Sequence, residues 1–163
     1  MNPFRILIRR LRAHINRRCV LGCAALVICM ASPTILAEQL ERQFINPASG
    51  YTQVVAVTAN GVTTLFVSGQ VSEGTTIEEQ LRGAFSSLNQ QLADAGAELA
   101  DVVKINTYIV DYQAEHLDIF KRVRDEFFAK ANRPASTLVG VKALALPKYL
   151  VEIEATAIRK AAE

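Results

Sequence analysis

Glu152 is the residue of this sequence best placed to act on a small molecule. Glu152 and Glu154 alternate with Val151, Ile153 and Ala155 near the end of the chain, and such alternation predicts a strand with both carboxylates on one face. Side chains of this type serve as general acids and bases. The same pattern also fits an ordinary surface carboxylate or a salt bridge between subunits, so all three interpretations stay open.

Few other residues offer reactive side chains. All three cysteines, Cys19, Cys23 and Cys29, lie in a leader segment that we expect to be removed, which excludes thiolates, disulfides and Cys-based metal sites from the mature chain. His116 is then the remaining histidine, exposed at the expected start of a helix, so no histidine is in place for a serine-hydrolase triad. We expect neither a metal nor a cofactor.

The first 37 residues have the order of a secretory signal peptide. Six arginines precede residue 20, an apolar run follows from Cys19 to about Ser32, and Ala37 offers a small residue for cleavage. Arg17-Arg18 also resembles the twin-arginine export pattern, and an uncleaved segment at 19–37 is near the lower length limit for a membrane anchor. We expect cleavage after Ala37, a periplasmic or secreted location, and one mature domain at residues 38–163.

Removal of the leader changes the charge of the protein. It takes away six arginines and leaves 12 basic against 16 acidic residues, a net charge of about −4. A net-negative domain without a basic stripe is a poor candidate for binding nucleic acid. We therefore expect no nucleic-acid partner and, after cleavage, no membrane contact.

The spacing of apolar residues predicts five strands and two helices in the order β-β-α-β-α-β-β. The strands are expected at residues 53–57, 63–67, 102–110, 136–144 and 150–158, and the second helix at about 114–130. Asn60-Gly61 indicates a hairpin between the first two strands. Thr75 and Glu78 fit a capping box that starts the first helix, and Gly96 fits its end. The residues up to Gly50 have the character of an irregular lead-in.

Alternation within these strands predicts one sheet with both helices on a single face. In the third strand the apolar set is Val103, Ile105 and Ile109, and the polar set is Lys104, Asn106 and Tyr108. Two helices cannot cover both faces of the sheet. The polar face, which also carries Glu152 and Glu154, therefore meets either water or another subunit.

Several segments together resemble the Rid (YjgF) family, named for reactive-intermediate deamination. They occur in the family's order: Gly50-Tyr51-Thr52-Gln53, Leu65-Phe66-Val67-Ser68-Gly69-Gln70, Asp101-Val102-Val103-Lys104, Tyr108-Ile109-Val110-Asp111, Arg133-Pro134-Ala135-Ser136-Thr137-Leu138-Val139-Gly140-Val141 and Leu150-Val151-Glu152-Ile153-Glu154-Ala155. These segments cover nearly all of residues 38–163. The closing Val-Glu-Ile-Glu-Ala, together with the Pro-Ala-Ser-Thr before it, is the most specific part of the pattern.

The resemblance implies an α+β, chorismate-mutase-like fold and a homotrimer that binds small molecules in clefts between its subunits. The typical reaction is cofactor-free hydrolysis of an enamine or imine to a keto acid and ammonia. In that scheme Glu152 is the catalytic residue that handles the water and the proton transfers, and an arginine clamps the substrate carboxylate. The matching substrate-binding positions, with Arg133 as a nearby cation, are Tyr51, Ser68, Gly69, Gln70 and Ser136.

Ser136 is the main departure from the family pattern. Active members carry an arginine at this position, and a serine cannot reproduce a planar, two-point clamp. The chain thus resembles the subfamilies that lack the arginine and generally lack the standard imine-deaminase activity. We expect a hydrolase of an enamine, an imine or a related small nitrogen compound, with weak or absent activity on 2-imino acids. The alternative is a non-catalytic trimer that binds a metabolite or acts as a chaperone.

Overall fold

The computed structural model describes residues 40–162, so the predicted signal peptide at 1–37 and the predicted start of the mature domain at 38 lie outside it. The strands and helices are β1 Glu41–Ala48, β2 Tyr51–Ala59, β3 Val62–Gln70, α1 Ile77–Asp94, β4 Val102–Val110, α2 His116–Phe127, β5 Ala135–Val141 and β6 Val151–Lys160. Within residues 40–162 no helix has the length and apolar character needed to cross a membrane.

The six strands of the described region form one mixed sheet in the order β1-β2-β3-β6-β4-β5. Neighbouring strands are antiparallel except β4 and β5, which are parallel because α2 carries the chain back between them. The two helices pack on the same face, where Leu65, Phe85, Ile105, Phe120 and Ile153 are buried. The predicted α+β sheet with two helices on one face is confirmed. We call the opposite face the open face.

The prediction of an irregular lead-in is wrong, because residues Glu41–Ala48 form an additional edge strand. This strand pairs antiparallel with β2, from Glu41 opposite Thr58 to Ala48 opposite Tyr51. Most of its side chains are exposed, so it lacks the apolar alternation that marks a half-buried strand. The element order is therefore β-β-β-α-β-α-β-β.

The turn signals locate the elements to within a few residues. Asn60 and Gly61 both have positive φ and join β2 to β3 as a two-residue hairpin loop, as expected. The helix cap lies one residue later than predicted: the Thr76 hydroxyl accepts from the Glu79 amide at 3.2 Å, and Glu79 accepts from the Thr76 amide. The sequence contains two overlapping Thr-x-x-Glu patterns, Thr75–Glu78 and Thr76–Glu79, and does not show which of them caps the helix. The predicted strand at 136–144 ends instead at Val141.

A β-bulge changes the face of one predicted core residue. The pairing of β4 with β6 shifts between Val102 and Lys104, so Val102 is buried and Val103 is 43 % exposed. The prediction that Val103 packs under the helices is therefore wrong. Ile105 and Ile109 are buried as predicted. An extra residue in one strand reverses the alternation from that point on.

Candidate functional site

Glu152 lies on the open face of β6, directly over Gly69 of β3. Val151 and Ile153 on either side of it are fully buried on the helix side, which turns Glu152 the other way. A Cβ atom added to Gly69 would come within 1.7 Å of the Glu152 Oε1 atom. The absence of a side chain at Gly69 is therefore what makes room for the carboxylate.

The backbone of β3 is irregular at this point. The register between β3 and β6 shifts between Val67 and Gln70, a bulge that contains Ser68 and Gly69. Bulges of this kind re-aim side chains next to functional sites. Here the bulge brings the main chain of Gly69 beneath Glu152 and turns Gln70 towards the helices, where it is 3 % exposed.

Glu154 lies two residues further along the same face and has two hydrogen-bond donors. The amide of Asn106 donates to its Oε1 at 2.7 Å, and the hydroxyl of Tyr108 donates to the same atom at 3.1 Å. Asn106 and Tyr108 stand opposite Glu154 and Glu152 in the pairing of β4 with β6. Charge-assisted bonds of this kind favour the ionised carboxylate.

Glu152 holds its proton more tightly than an ordinary carboxyl group. Burial raises the pKa of Glu152 above its ordinary value, and the negative charge of Glu154 raises it further. Within residues 40–162 no side chain or backbone amide donates a hydrogen bond to Glu152 that would offset these effects. Burial, followed by the hydrogen bond to Glu154, also raises the pKa of Tyr108. The raised pKa makes Glu152 a candidate to give and take a proton.

A pocket of about 180 Å³ opens on the same face beside Glu154. Phe66, Lys104, Asn106 and Thr156 contribute to its walls. The ammonium group of Lys104 donates to Thr137 Oγ1 at 2.9 Å, which holds the lysine towards β5. The pocket is large enough for a small molecule and carries both a cation and a carboxylate.

The other predicted residues of β2 and β3 support this region rather than line it. The Ser68 hydroxyl donates to the Thr52 carbonyl at 2.7 Å. The Gln70 amide donates to Gln53 and to the Ser68 carbonyl, and it accepts from Ser87 of α1. These bonds use both ends of the Gln70 amide, so its role in the protomer is to fix the end of β3.

Tyr51 lies at the start of β2 rather than in the loop that the sequence predicts. Its side chain is 53 % exposed. Its hydroxyl accepts a hydrogen bond from Gln53 at 3.2 Å. Since Gln53 in turn bonds to Gln70, a chain of hydrogen bonds links Tyr51 to the end of β3.

The structure does not bring Ser136 or Arg133 to Glu152 within one protomer. Ser136 pairs with the buried Ile105, so it shares the helix side of the sheet, and it is exposed because β5 is an edge strand. The guanidinium of Arg133 binds Asp125 of α2 at 2.5 Å. Either residue can reach an open-face site only in an assembly of several copies.

Asn106 and Tyr108 are on the face that the sequence predicts, but they were not among the predicted site residues. Alternation in β4 indicated the polar face for both, whereas only the strand order makes them neighbours of Glu154. His116, expected to be exposed, is half-buried, with its ring against Tyr112. Among the described residues no group of three His, Cys, Asp or Glu side chains is arranged to hold a metal ion.

Fold and site together define a small α+β protein with an acidic site on the uncovered face of one mixed sheet. The sequence matches the family described as Endoribonuclease L-PSP over residues 41–159. The chain therefore belongs to this family, which includes the YjgF, RutC and Rid proteins, and the predicted resemblance to the Rid (YjgF) family is confirmed.

Individual relatives cover most of the chain. A RutC family protein of Aquifex aeolicus is 33% identical over 120 residues, which is 69% of this chain and 91% of the relative. A 2-iminobutanoate/2-iminopropanoate deaminase of Dermatophagoides farinae is 30% identical over 138 residues, 79% of this chain and 98% of the relative. Among solved structures, a YjgF-family protein of Neisseria meningitidis has a TM-score of 0.64 at 28% identity and covers 75% of this chain and 98% of its own.

Proposed function

We propose that this protein is a cofactor-free hydrolase that releases ammonia from an enamine, an imine or a related small nitrogen compound. The observation that carries the proposal is the position of Glu152, a half-buried carboxylate with a raised pKa that rests on a glycine and has no donor of its own. The deaminase of Dermatophagoides farinae, similar along nearly its whole length, supports the same reaction class.

Glu152 can perform the proton transfers that the reaction needs. In its protonated form it gives a proton to the imine nitrogen, or to the β-carbon of an enamine. The resulting carboxylate takes a proton from water as the water oxygen bonds to the imine carbon. Glu152 gives this proton to the amine nitrogen, the C–N bond breaks to release ammonia, and the hydroxyl proton returns to the carboxylate as the carbonyl forms, which regenerates the acid. A carboxyl group whose pKa lies close to the working pH performs both steps best.

Within residues 40–162 no arginine lies near Glu152, which supports a substrate without an α-carboxylate. Ser136 is uncharged and faces the helix side of the sheet, and Arg133 is bound by Asp125. Glu154 adds a negative charge beside Glu152, which disfavours an anionic group there. We expect 2-imino acids to be poor substrates and neutral imines to be better ones.

The ion pairs of the described region favour a small molecule over RNA, although the family description names an endoribonuclease. Arg82 pairs with Glu78 and Glu126, and Arg122 pairs with Glu78. Arg124 and Arg133 both bind Asp125. Cations neutralised in this way do not form the unopposed basic stripe that binds phosphates.

We further propose that the mature chain assembles as a homotrimer with a ligand cleft between neighbouring subunits. The open face exposes large apolar side chains that a partner subunit would cover: Phe44, Phe66, Val103, Val139 and Ile158. Exposed apolar area of this kind marks an interaction site. Light scattering should give about three times the protomer mass, and a monomer at micromolar concentration would exclude the intersubunit cleft.

The basic and apolar leader at residues 1–37 supports export, which we propose takes place with cleavage after Ala37. Mass spectrometry of the protein from its native source should find an N-terminus near Glu38. A soluble pool that begins at Met1 would contradict this.

The central experiment measures ammonia release from imines generated in situ, with and without a carboxylate. Glu152→Gln should lower turnover by about 10²–10⁴-fold, because the amide neither gives nor takes a proton. Glu115→Gln is the matched control, since Glu115 is exposed at the start of α2 and forms no side-chain cap. Binding of an imine without any ammonia release would instead favour the non-catalytic, metabolite-binding alternative.

Substrate choice is tested by Ser136→Arg. If a neighbouring subunit brings β5 to the site, the new guanidinium should raise hydrolysis of 2-iminopropionate by about tenfold or more, the effect of one charge-assisted contact. Rates on neutral imines should stay within about twofold. Efficient hydrolysis of 2-iminopropionate by the wild-type protein would show that the missing arginine does not limit the reaction.

A further inference from the structure

Gln80 of α1 is a fully buried polar residue whose side-chain amide is completely hydrogen-bonded. Its Nε2 donates to the Gly74 carbonyl and to the Lys148 carbonyl, both at 2.9 Å. Its Oε1 accepts from the Leu150 amide at 2.7 Å. One helix side chain therefore holds two separate loops, the one that leaves β3 and the one that enters β6.

The Leu150 peptide, two residues before Glu152, is fixed on both sides. Gln80 binds its N–H, and the Val110 amide at the end of β4 donates to its carbonyl at 2.9 Å. Beyond this peptide the chain enters β6. The position of the start of β6, and with it the backbone at Glu152, is therefore fixed by α1 as well as by β4.

The same amide binds the loop that follows the strand carrying Gly69. Gly74 lies within this loop, and a Cβ atom there would lie 3.2 Å from Gln80 Cγ. The Gln80 stem thus packs against the main chain of this loop. On the surface, Lys148 and Glu73 join the same two loops by an ion pair at 2.5 Å.

We propose that Gln80 is a positioning residue that keeps Glu152 seated over Gly69. In the described region no hydrogen-bond donor holds the Glu152 carboxylate, so its place depends on where the backbone of β6 lies relative to β3. Gln80 is the side chain that ties the loop after β3 to the start of β6 from the buried side. The inference rests on the proposed function for its catalytic consequence, whereas the geometry itself can be tested without turnover.

The test compares Gln80→Met with Thr76→Ala. Gln80→Met keeps the length of the side chain and removes all three bonds. It should lower kcat/KM for ammonia release by about 10–100-fold. Thr76→Ala removes the cap at the same end of α1 and touches neither β6 nor Gly69. It should lower Tm and leave kcat/KM within about twofold.

The site-specific measurement is the titration of Glu152 by carboxyl carbon NMR. When β6 is no longer fixed, water reaches the carboxylate, and its pKa should fall towards the ordinary value in Gln80→Met. The titratable groups next to it are Glu154 on β6 and Tyr108 on β4, and both remain unchanged. A merely structural role would lower Tm in both variants and leave the pKa of Glu152 where it is, which would overturn the proposal.

Hydrogen exchange on the wild-type protein tests the inference even if Gln80→Met does not fold. The Leu150 amide should exchange as slowly as the amides of β4 and β6, because Gln80 holds it. Exchange at the rate of a loop amide would contradict the proposal. A wild type that releases no ammonia would refute the proposed function, while the exchange and titration results would still decide the role of Gln80.

Discussion

Glu152 and Glu154 occupy neighbouring positions on one strand and one face, yet their surroundings differ. Glu154 is met by two donors from β4, Asn106 and Tyr108. Glu152 is met by the bare backbone of Gly69. The Glu154 carboxylate accepts two hydrogen bonds, whereas the Glu152 carboxylate is half-buried and has no hydrogen-bond partner among the described residues.

This difference separates two roles that the sequence motif Val-Glu-Ile-Glu-Ala cannot distinguish. Asn106 and Tyr108 both donate hydrogen bonds to the Glu154 carboxylate and hold it in place. Burial and the charge of Glu154 both favour the neutral form of Glu152. A fixed negative charge beside a group with a raised pKa is a usual way to prepare a general acid and base.

Gly69→Ala should have the largest effect on the difference between the two carboxylates. The new methyl group would occupy the position of the Glu152 Oε1 atom, which lies 1.7 Å from an ideal Cβ, so the carboxylate must move. Because only a flexible side chain has to shift, the fold should survive. We expect ammonia release to fall by about 100-fold or more with a change in Tm of only a few degrees.

Gly83→Ala is the matched control for this variant. A Cβ at Gly83 would come within 1.9 Å of the Ser72 hydroxyl oxygen and 2.4 Å of the Ser72 Cβ atom, so the main chain at Ser72 must shift. Gly83 lies in α1 and does not contact Glu152, so Tm should fall more than in Gly69→Ala, while activity should fall much less. Equal losses of ammonia release in both variants would mean that Gly69 matters for general packing and not for the position of the Glu152 carboxylate.

The sequence predicted the architecture well because periodicity and turn chemistry are local. The Asn60-Gly61 hairpin, the long first helix and the alternation of β6 are all present in the structure. It missed β1 because an exposed edge strand needs no apolar alternation. It misplaced Val103 because a bulge depends on the partner strand, which a single segment does not contain.

The candidate site was predictable in part, for a related reason. Alternation placed Glu152, Glu154, Asn106 and Tyr108 on one face, but only the strand order put β4 beside β6 and made the last three residues a hydrogen-bonded group. The resemblance implied a substrate-binding position at Gly69, and the structure shows that the Glu152 side chain fills the space a side chain at Gly69 would take. Contacts between residues some 80 positions apart follow from topology and not from local pattern.

Glu154→Gln tests how the charge of Glu154 affects Glu152, because it keeps the shape of the side chain and removes its charge. The amide oxygen can still accept from Asn106 and Tyr108. Since the charge of Glu154 contributes to the raised pKa of Glu152, that pKa should fall in the variant. The pKa of Tyr108 should fall as well, because the charge of Glu154 contributes to its rise after burial.

The direction of the pH effect follows from the form of Glu152 that starts the reaction. The protonated form donates the first proton to the substrate, so kcat/KM falls as the pH passes upward through the pKa of Glu152. Lowering that pKa moves this basic limb to lower pH in Glu154→Gln, and the rate at neutral pH should fall by less than about tenfold. Stability changes in the matching sense: a raised carboxyl pKa contributes stability at low pH that is lost as pH rises through the folded-state pKa, and the variant should lose less of it. A basic limb that stays in place, although the ultraviolet titration of Tyr108 has moved, would show that a group other than Glu152 controls the reaction.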